Sequence, residues 1–207
     1  MAETTEMEPT VHVVDDDEAV RDSLRWLICS VNLNVETYAS AAEFLDNYQD
    51  GGIGCLVTDV RMPGQSGMDL QKEMKARAIR LPVIIITGHG DVDMAVRAMK
   101  EGAFDFVEKP FNDQDILDII QKAVDRGAKD EKNHIRQVDV MKRLDRLTPR
   151  ERQVLGMIVA GESNKGVAHH LGISDKTVEA HRAKVMEKME ARSLAELMKT
   201  VMVLEAY

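Results

Sequence analysis

Five side chains stand at the ends of short apolar runs, and their types suit one kind of chemistry. Asp15 and Asp16 follow Val11 to Val14, Asp59 closes the run that begins at Cys55, Thr87 closes Leu81 to Thr87, and Lys109 follows Phe104 to Val107. Carboxylates gathered at one place repel each other and call for a cation. Hard divalent ions, Mg²⁺ above all, prefer carboxylate, carbonyl and water oxygens. With Mg²⁺ shielding the charge, Asp59 would be able to attack a phosphoryl group. Lys109 would meet one phosphoryl oxygen as a point charge, and Thr87 would donate a hydrogen bond to another. The product is an acyl phosphate, whose added charge can bias a two-state element.

For these residues to meet, each run must be a strand with its C-terminal end at one edge of a single sheet. The pattern predicts that arrangement. Val11 to Val14, Val31 to Tyr38, Cys55 to Val57, Leu81 to Thr87 and Phe104 to Val107 read as five strands. The run at Leu81 is near-continuously apolar, as in a strand buried on both faces of a parallel sheet. Helices are predicted between them. Asp17-Glu18 opens one through Leu24, Leu27 and Ile28, and Ser40 to Glu43 is a capping box for a short one carrying Phe44 and Leu45. Ser66 to Ala78 places Met68, Leu70 and Met74 inward, Asp91 to Glu101 stops at Gly102, and Asn112 opens a last helix to about Asp125. Five alternations argue a doubly wound parallel sheet, an α/β fold whose chemistry sits at the C-terminal ends of its strands. Asp17 reads as a helix-opening acid, His89 as a surface loop residue, and Phe106 either as core or as an aromatic able to swing inward.

Composition narrows the class. Of 207 residues, 44% are hydrophobic, 30% charged and 4% aromatic, as in an ordinary globular chain of one or two domains. No apolar run approaches the roughly 20 residues that span a bilayer, and residues 1–9 read as a disordered acidic leader without an apolar signal segment, so a cytoplasmic location with no membrane partner is expected. Cys29 and Cys55 fall in apolar patterns and read as buried small hydrophobes, not a disulfide framework. The net charge of −9 is uneven: residues 145–207 carry ten Lys/Arg against nine Asp/Glu, residues 1–144 seventeen against twenty-seven. That balance disfavours indiscriminate nucleic-acid binding but leaves room for local DNA binding by the near-neutral tail.

Gly127 to Leu147 is strongly charged, with Ile135, Val138, Met141, Leu144 and Leu147 spaced by threes, and residues 127–146 read as a linker. It reads as a helix whose stripe could pair with a twin or lie against a domain; a flexible tether is the competing reading. From 147 to 207 the chain reads as four helices, 149–160, 163–171, 174–189 and 193–204. Capping boxes stand at Thr148 to Glu151 and Ser193 to Glu196, and the Gly172-Ile173 turn between the second and third helices fits a helix-turn-helix.

Over residues 10–126, VVDDD, LVTDVRMPG, IIITGHGD and FVEKPF resemble the receiver domain of bacterial two-component response regulators. The resemblance implies that Asp59 is the phosphoacceptor. Asp16, Asp59 and the backbone carbonyl of Arg61 would hold Mg²⁺, with Asp15 acting partly through water. Thr87 and Lys109 would be the switch hydroxyl and the phosphoryl-pairing lysine, Phe106 the switch aromatic, and Lys109-Pro110 a cis peptide. The segment LTPRERQVLGMIVAGESNKGVAHHLGISDKTVEAHRAKVMEKMEARSLAEL is similar to the LuxR-type helix-turn-helix. Its recognition helix would begin at Ser174 and lie in the major groove. Lys165, Lys176, Thr177, His181, Arg182 and Lys184 would contact phosphates, while Glu179, Ala180 and Ala183 would face base edges. The last helix, with Leu194, Leu197, Met198 and Val201, would dimerise. Gly166, His169-His170 and Glu190 depart from the family pattern.

Together the two parts resemble the FixJ-type branch: a transcriptional activator that takes a phosphoryl group from a sensor histidine kinase and is not itself an enzyme. It would dimerise on phosphorylation and bind promoter DNA beside RNA polymerase. An Asp-dependent phosphohydrolase would want a second acid two residues after the nucleophile, where Arg61 stands. A signalling adaptor with a protein-binding tail and a phosphorylation-independent regulator are the other rivals.

Overall fold

A computed structural model describes residues 8–49, 51–88 and 92–204. The described chain divides into two units, residues 1–131 and 132–207. In the first, five strands are β1 (Thr10–Val14), β2 (Asn34–Tyr38), β3 (Gly54–Asp59), β4 (Val83–Thr87) and β5 (Asp105–Glu108). They form one parallel sheet in the order β2-β1-β3-β4-β5, with Val14 opposite Thr58, Asp59 opposite Ile86 and Thr87 opposite Glu108. The strand order reverses between β1 and β3, and a crevice opens at the C-terminal ends of the strands at such a reversal.

Helices cover both faces because alternate residues of the central strands are apolar on both. Leu56, Val83 and Ile85 point to one layer, with Phe44 of α2 (Ala41–Asn47), Leu70 and Met74 of α3 (Gly67–Ala76) and Ala98 of α4 (Val92–Lys100). Cys55, Val57, Ile84 and Ile86 point to the other, with Leu24 and Ile28 of α1 (Glu18–Cys29) and Ile116 and Ile120 of α5 (Asp113–Asp145). Each fully buried Ile or Leu of these layers contributes about 1.5–3 kcal/mol against leaving it in water. The doubly wound prediction therefore holds.

Beyond small shifts of strand ends, such as β4 beginning at Val83 and not Leu81, the first unit differs from the sequence reading in these details. The second strand begins at Asn34 and not Val31, because Ser30 to Asn32 continue α1 as tight turns and Asn32 takes a left-handed φ of 60°. Cys29 is exposed at the end of α1; only Cys55 is buried. Position 29 falls on the outer face of the helix, next to Trp26, itself 83% exposed. Finally, α5 runs unbroken past Asp125 to Asp145. The predicted leader residues 1–7, the loop residue His89 and the start of α4 at Asp91 lie outside the described residues.

The second unit holds residues 132–145 of α5 together with α6 (Pro149–Val159), α7 (Asn164–Leu171), α8 (Asp175–Lys188) and α9 (Leu194–Met202). Its core joins Val154, Val167, Val178, Val185, Met189 and Leu197. Of the linker stripe, Leu147 is buried and Leu144 partly so, yet Ile135 and Met141 are exposed and Val140 is the buried position between them. The capping box at Thr148 is complete, with Thr148 and Glu151 each accepting the other's backbone N–H. At Ser40 and Ser193 the glutamate instead accepts the N–H of the residue before the cap.

Candidate functional site

The C-terminal ends of β1, β3 and β5 bring Asp15, Asp59 and Lys109 into contact. Lys109 Nζ donates to Asp59 Oδ1 at 2.8 Å and to Asp15 Oδ2 at 3.0 Å. The other oxygen of each acid is held by backbone: Asp59 Oδ2 accepts the Arg61 N–H at 2.6 Å, and Asp15 Oδ1 accepts the Asp17 N–H at 2.9 Å. Asp15 is 4% exposed. Burial pushes its carboxyl up from the ordinary value, against the lowering effects of the Asp17 N–H and Lys109. For Lys109 burial works to lower the ammonium, but hydrogen bonds and charges from Asp59 and Asp15 outweigh it and raise it. The lysine is thus held charged between two acids.

The neighbouring residues fall around this trio. Asp16 is exposed one residue beyond Asp15, and Asp17 caps α1 by accepting the Ala19 N–H, the helix-opening role read from the sequence. Thr87 is 1% exposed at the end of β4, and its carbonyl accepts the Lys109 N–H at 2.7 Å, tying β4 to β5. Phe106 is half-buried against the layer of α2, α3 and α4. The Lys109-Pro110 peptide is cis. Among the described residues, no three His, Cys, Asp or Glu side chains gather closely enough to hold a metal on their own.

Two contributors escaped the sequence reading. Arg21 donates to the carbonyls of Asp15 at 2.7 Å and Asp16 at 3.1 Å, fixing the loop that carries both acids. A basic residue one turn into the helix after the acids was the available signal. Gly67, the first residue of α3, lies so close beneath Asp59 that a Cβ there would come within 2.3 Å of the Asp59 carbonyl oxygen. No local pattern marks it.

In the second unit, Ser163 caps α7, and Gly172 ends it at φ +63°, a left-handed turn that costs glycine nothing. Ser174 then caps α8, accepting the Thr177 N–H and sharing a 2.8 Å hydrogen bond with its hydroxyl. Val178 and Val185 bury the inner face of α8. That leaves Ser174, Lys176, Thr177, Glu179, Ala180, Ala183 and Lys184 exposed, with His181 and Arg182 half-buried and Lys165 exposed on α7. The predicted DNA-facing residues therefore lie off the packed face.

A parallel sheet with this acid–lysine pocket, followed by a helix-turn-helix unit, defines a DNA-binding regulator switched at its first domain. The family model for the response regulator receiver domain matches residues 11–121, and that for bacterial regulatory proteins of the luxR family matches residues 145–201. The chain belongs to the two-component response regulators of the FixJ type, phosphorylation-controlled regulators of transcription. It is 51% identical to the transcriptional regulatory protein FixJ of Azorhizobium caulinodans, over 91% of this chain and 90% of that one. To the transcriptional regulatory protein TdiR of Thauera aromatica it is 44% identical, over 93% and 85%. Among solved structures, the response regulator StyR is 42% identical with a TM-score of 0.81, covering 97% of this chain and all of that one. Full-length FixJ from B. japonicum is 43% identical with a TM-score of 0.58, covering 97% and 99%. No helix among the described residues is long and apolar enough to cross a membrane.

Proposed function

We propose that Asp59 is the phosphoacceptor and that a sensor histidine kinase is the donor. The observation that carries this reading is the Lys109 ammonium shared between Asp59 and Asp15. In the transfer, the P–N bond of the donor's phosphohistidine breaks, a P–O bond to an Asp59 carboxylate oxygen forms, and the donor imidazole leaves. Lys109 is already charged and within reach of Asp59, so it meets the incoming phosphoryl oxygens without reorganisation. The Arg61 N–H and the Asp17 N–H hold the two acids in place while this happens. Thr87 and Phe106 are the hydroxyl and aromatic that rearrange afterwards.

The donor set fits Mg²⁺. Asp15, Asp16 and Asp59 outnumber the one lysine, and Asp15 is buried enough for its carboxyl to be pushed up. Asp16, Asp59 and the Arg61 carbonyl would hold the ion, with Asp15 acting partly through water. Such a set suits a cation that keeps several waters and takes few protein ligands. Bound there, the ion would neutralise charge between carboxylate and phosphoryl oxygens.

The phosphorylated chain then dimerises through the face of α4 and β5, where Val92, Val96 and Met99 are exposed. It binds promoter DNA with α8 in the major groove and activates transcription with RNA polymerase, in the cytoplasm. Intact mass after treatment with acetyl phosphate and Mg²⁺ tests the first step: wild type gains one phosphoryl group and Asp59→Asn gains none. Size-exclusion chromatography and footprinting on promoter fragments test the rest; phosphorylation without any change in size or DNA affinity would overturn the dimerisation step.

A further inference from the structure

The helix that leaves the receiver does not end as a linker. Its last fourteen residues belong to the second unit. Val140 is buried in that unit's core and Leu144 packs against it. Two polar side chains on this stretch reach the C-terminal ends of other helices. Gln137 Nε2 donates to the carbonyl of Val203, the cap of α9, at 3.4 Å. Arg143 Nη1 donates to the carbonyl of Met189, the cap of α8, at 3.1 Å.

The second contact is the more consequential. Met189 carries one of the four carbonyls that a helix end leaves without an intrahelical partner. A guanidinium there meets both an orphan acceptor and the negative end of the helix dipole. The other amine of Arg143 pairs with Asp139 at 2.7 Å, one turn back on α5, and with Glu190 at 3.1 Å. Arg146 reaches the second oxygen of Glu190 at 3.4 Å. Glu190 itself stands at φ +55°, the left-handed position after α8, with Ala191 N–H closing the turn onto Met186. That turn usually takes glycine. Here a glutamate occupies it, with its carboxylate between Arg143 of α5 and Arg146 just past the end of that helix. The Arg143 side chain is 23% exposed, and its Nε is buried with no partner, a cost that the other contacts offset.

We propose that Arg143 is a positioning residue for DNA recognition: acting through Met189 and Glu190, it sets the orientation of α8, and residues 132–145 are part of the DNA-reading apparatus. This rests on the reading of α8 as the recognition helix. Arg143 touches no DNA in this scheme. Its loss should therefore change how well α8 fits a particular sequence and leave general attraction to phosphates intact.

The test uses the full chain, treated with acetyl phosphate and Mg²⁺. Anisotropy would follow its binding to a duplex enriched by the wild-type protein from a randomised pool, and to a duplex of unrelated sequence. Arg143→Met should lose about tenfold in affinity for the enriched duplex and stay within about twofold on the unrelated one, with the slope of log affinity against log salt unchanged. Arg143→Lys, which can still donate to the Met189 carbonyl, should recover most of the loss and serves if the Met variant does not fold. Equal loss on both duplexes, or no loss, overturns the proposal. A slope smaller by about one would make Arg143 a phosphate contact and overturns it too. Lys184→Ala is the control on the underlying reading: if it leaves both affinities and the slope unchanged, α8 is not the DNA-facing helix. If it weakens binding while Arg143→Met does not, only the positioning role fails.

Discussion

The Cα of Gly67 sits beneath the carbonyl of Asp59, so that a Cβ at position 67 would lie 2.3 Å from that oxygen and 3.0 Å from the Thr58 side chain. The Gly67 N–H in turn donates to the Val60 carbonyl at 3.1 Å. The start of α3 is thereby pressed against the residue proposed to take the phosphoryl group. Gly67→Ala must move one or the other. It should cost about 1–3 kcal/mol in denaturant unfolding, the range of an overpacked site, and slow labelling of Asp59 by acetyl phosphate. Gly52→Ala meets nothing within 4 Å and should be near neutral in both measurements.

Lys109 pairs with both Asp15 and Asp59 and would compete with a divalent ion for their charge. Lys109→Ala should separate the two effects of that ammonium. Labelling of Asp59 by acetyl phosphate should fall by about tenfold or more, because a preorganised charge is lost. Stabilisation by Mg²⁺ should grow, because two acids are left without their counter-charge. Thermal midpoints with Mg²⁺ and after its removal by chelator check this: the upshift with Mg²⁺ should exceed that of wild type. An unchanged or smaller upshift would remove Mg²⁺ from this pocket.

The pocket was legible in the sequence because each member ends an apolar run, and strand ends of a parallel sheet meet at one edge. Asp15 and Asp59, which Lys109 joins, needed only that rule. The limits lie where a residue's role depends on what packs against it from a distance. Nothing around Gly67 in the chain says that a helix start approaches a strand end. Arg21 reads as an ordinary helix-surface residue until its guanidinium is placed on two carbonyls. The stripe of the linker, spaced by threes, predicted a helix but not its partners. Leu144 and Leu147 turn to the second core while Ile135 and Met141 remain in solvent. The periodicity reports that a face exists, not which parts of it are covered.

The cysteines make a sharper case, since the sequence treats them alike. Cys29 is exposed, while burial pushes the Cys55 thiol up to about 12. The thiolate is the reactive species, so a disulfide reagent at pH 8 should modify one thiol of the native chain rapidly and the second only on unfolding. Cys29→Ser should abolish the fast phase. Two fast thiols would contradict the buried position of Cys55 on β3.

Glu190 allows two magnitudes to be compared. Its left-handed backbone costs about 1–2 kcal/mol relative to glycine. Its pairs with Arg143 and Arg146 involve a side chain that is 53% exposed, so each returns about 0–1 kcal/mol. The terms nearly cancel. Glu190→Gly should change unfolding stability by less than about 1 kcal/mol, while Glu190→Val, β-branched and without the ion pairs, should cost about 2 kcal/mol or more. Denaturant melts of the two variants check the balance.

Acid should act on the second unit through Glu151. This residue is 3% exposed at the start of α6. Lys188 of α8 donates to its carboxylate at 2.6 Å and the Thr148 N–H at 2.8 Å, and these bonds hold its pKa down at about 2 from an ordinary 4.5. The folded value is the depressed one, so the unfolded chain binds the proton first. The stabilisation is therefore complete above pH 4.5 and is lost as the pH falls from there toward 2. Glu151→Gln keeps an oxygen for the Thr148 N–H but leaves the lysine without a charge partner. It should cost about 1–3 kcal/mol at neutral pH and remove this contribution to the acid dependence. Hydrogen exchange of α6 and α8 amides between pH 5 and 2 would read it directly: protection that declines with acid in wild type should decline less in the variant. An identical decline would place the acid-sensitive group elsewhere in the unit.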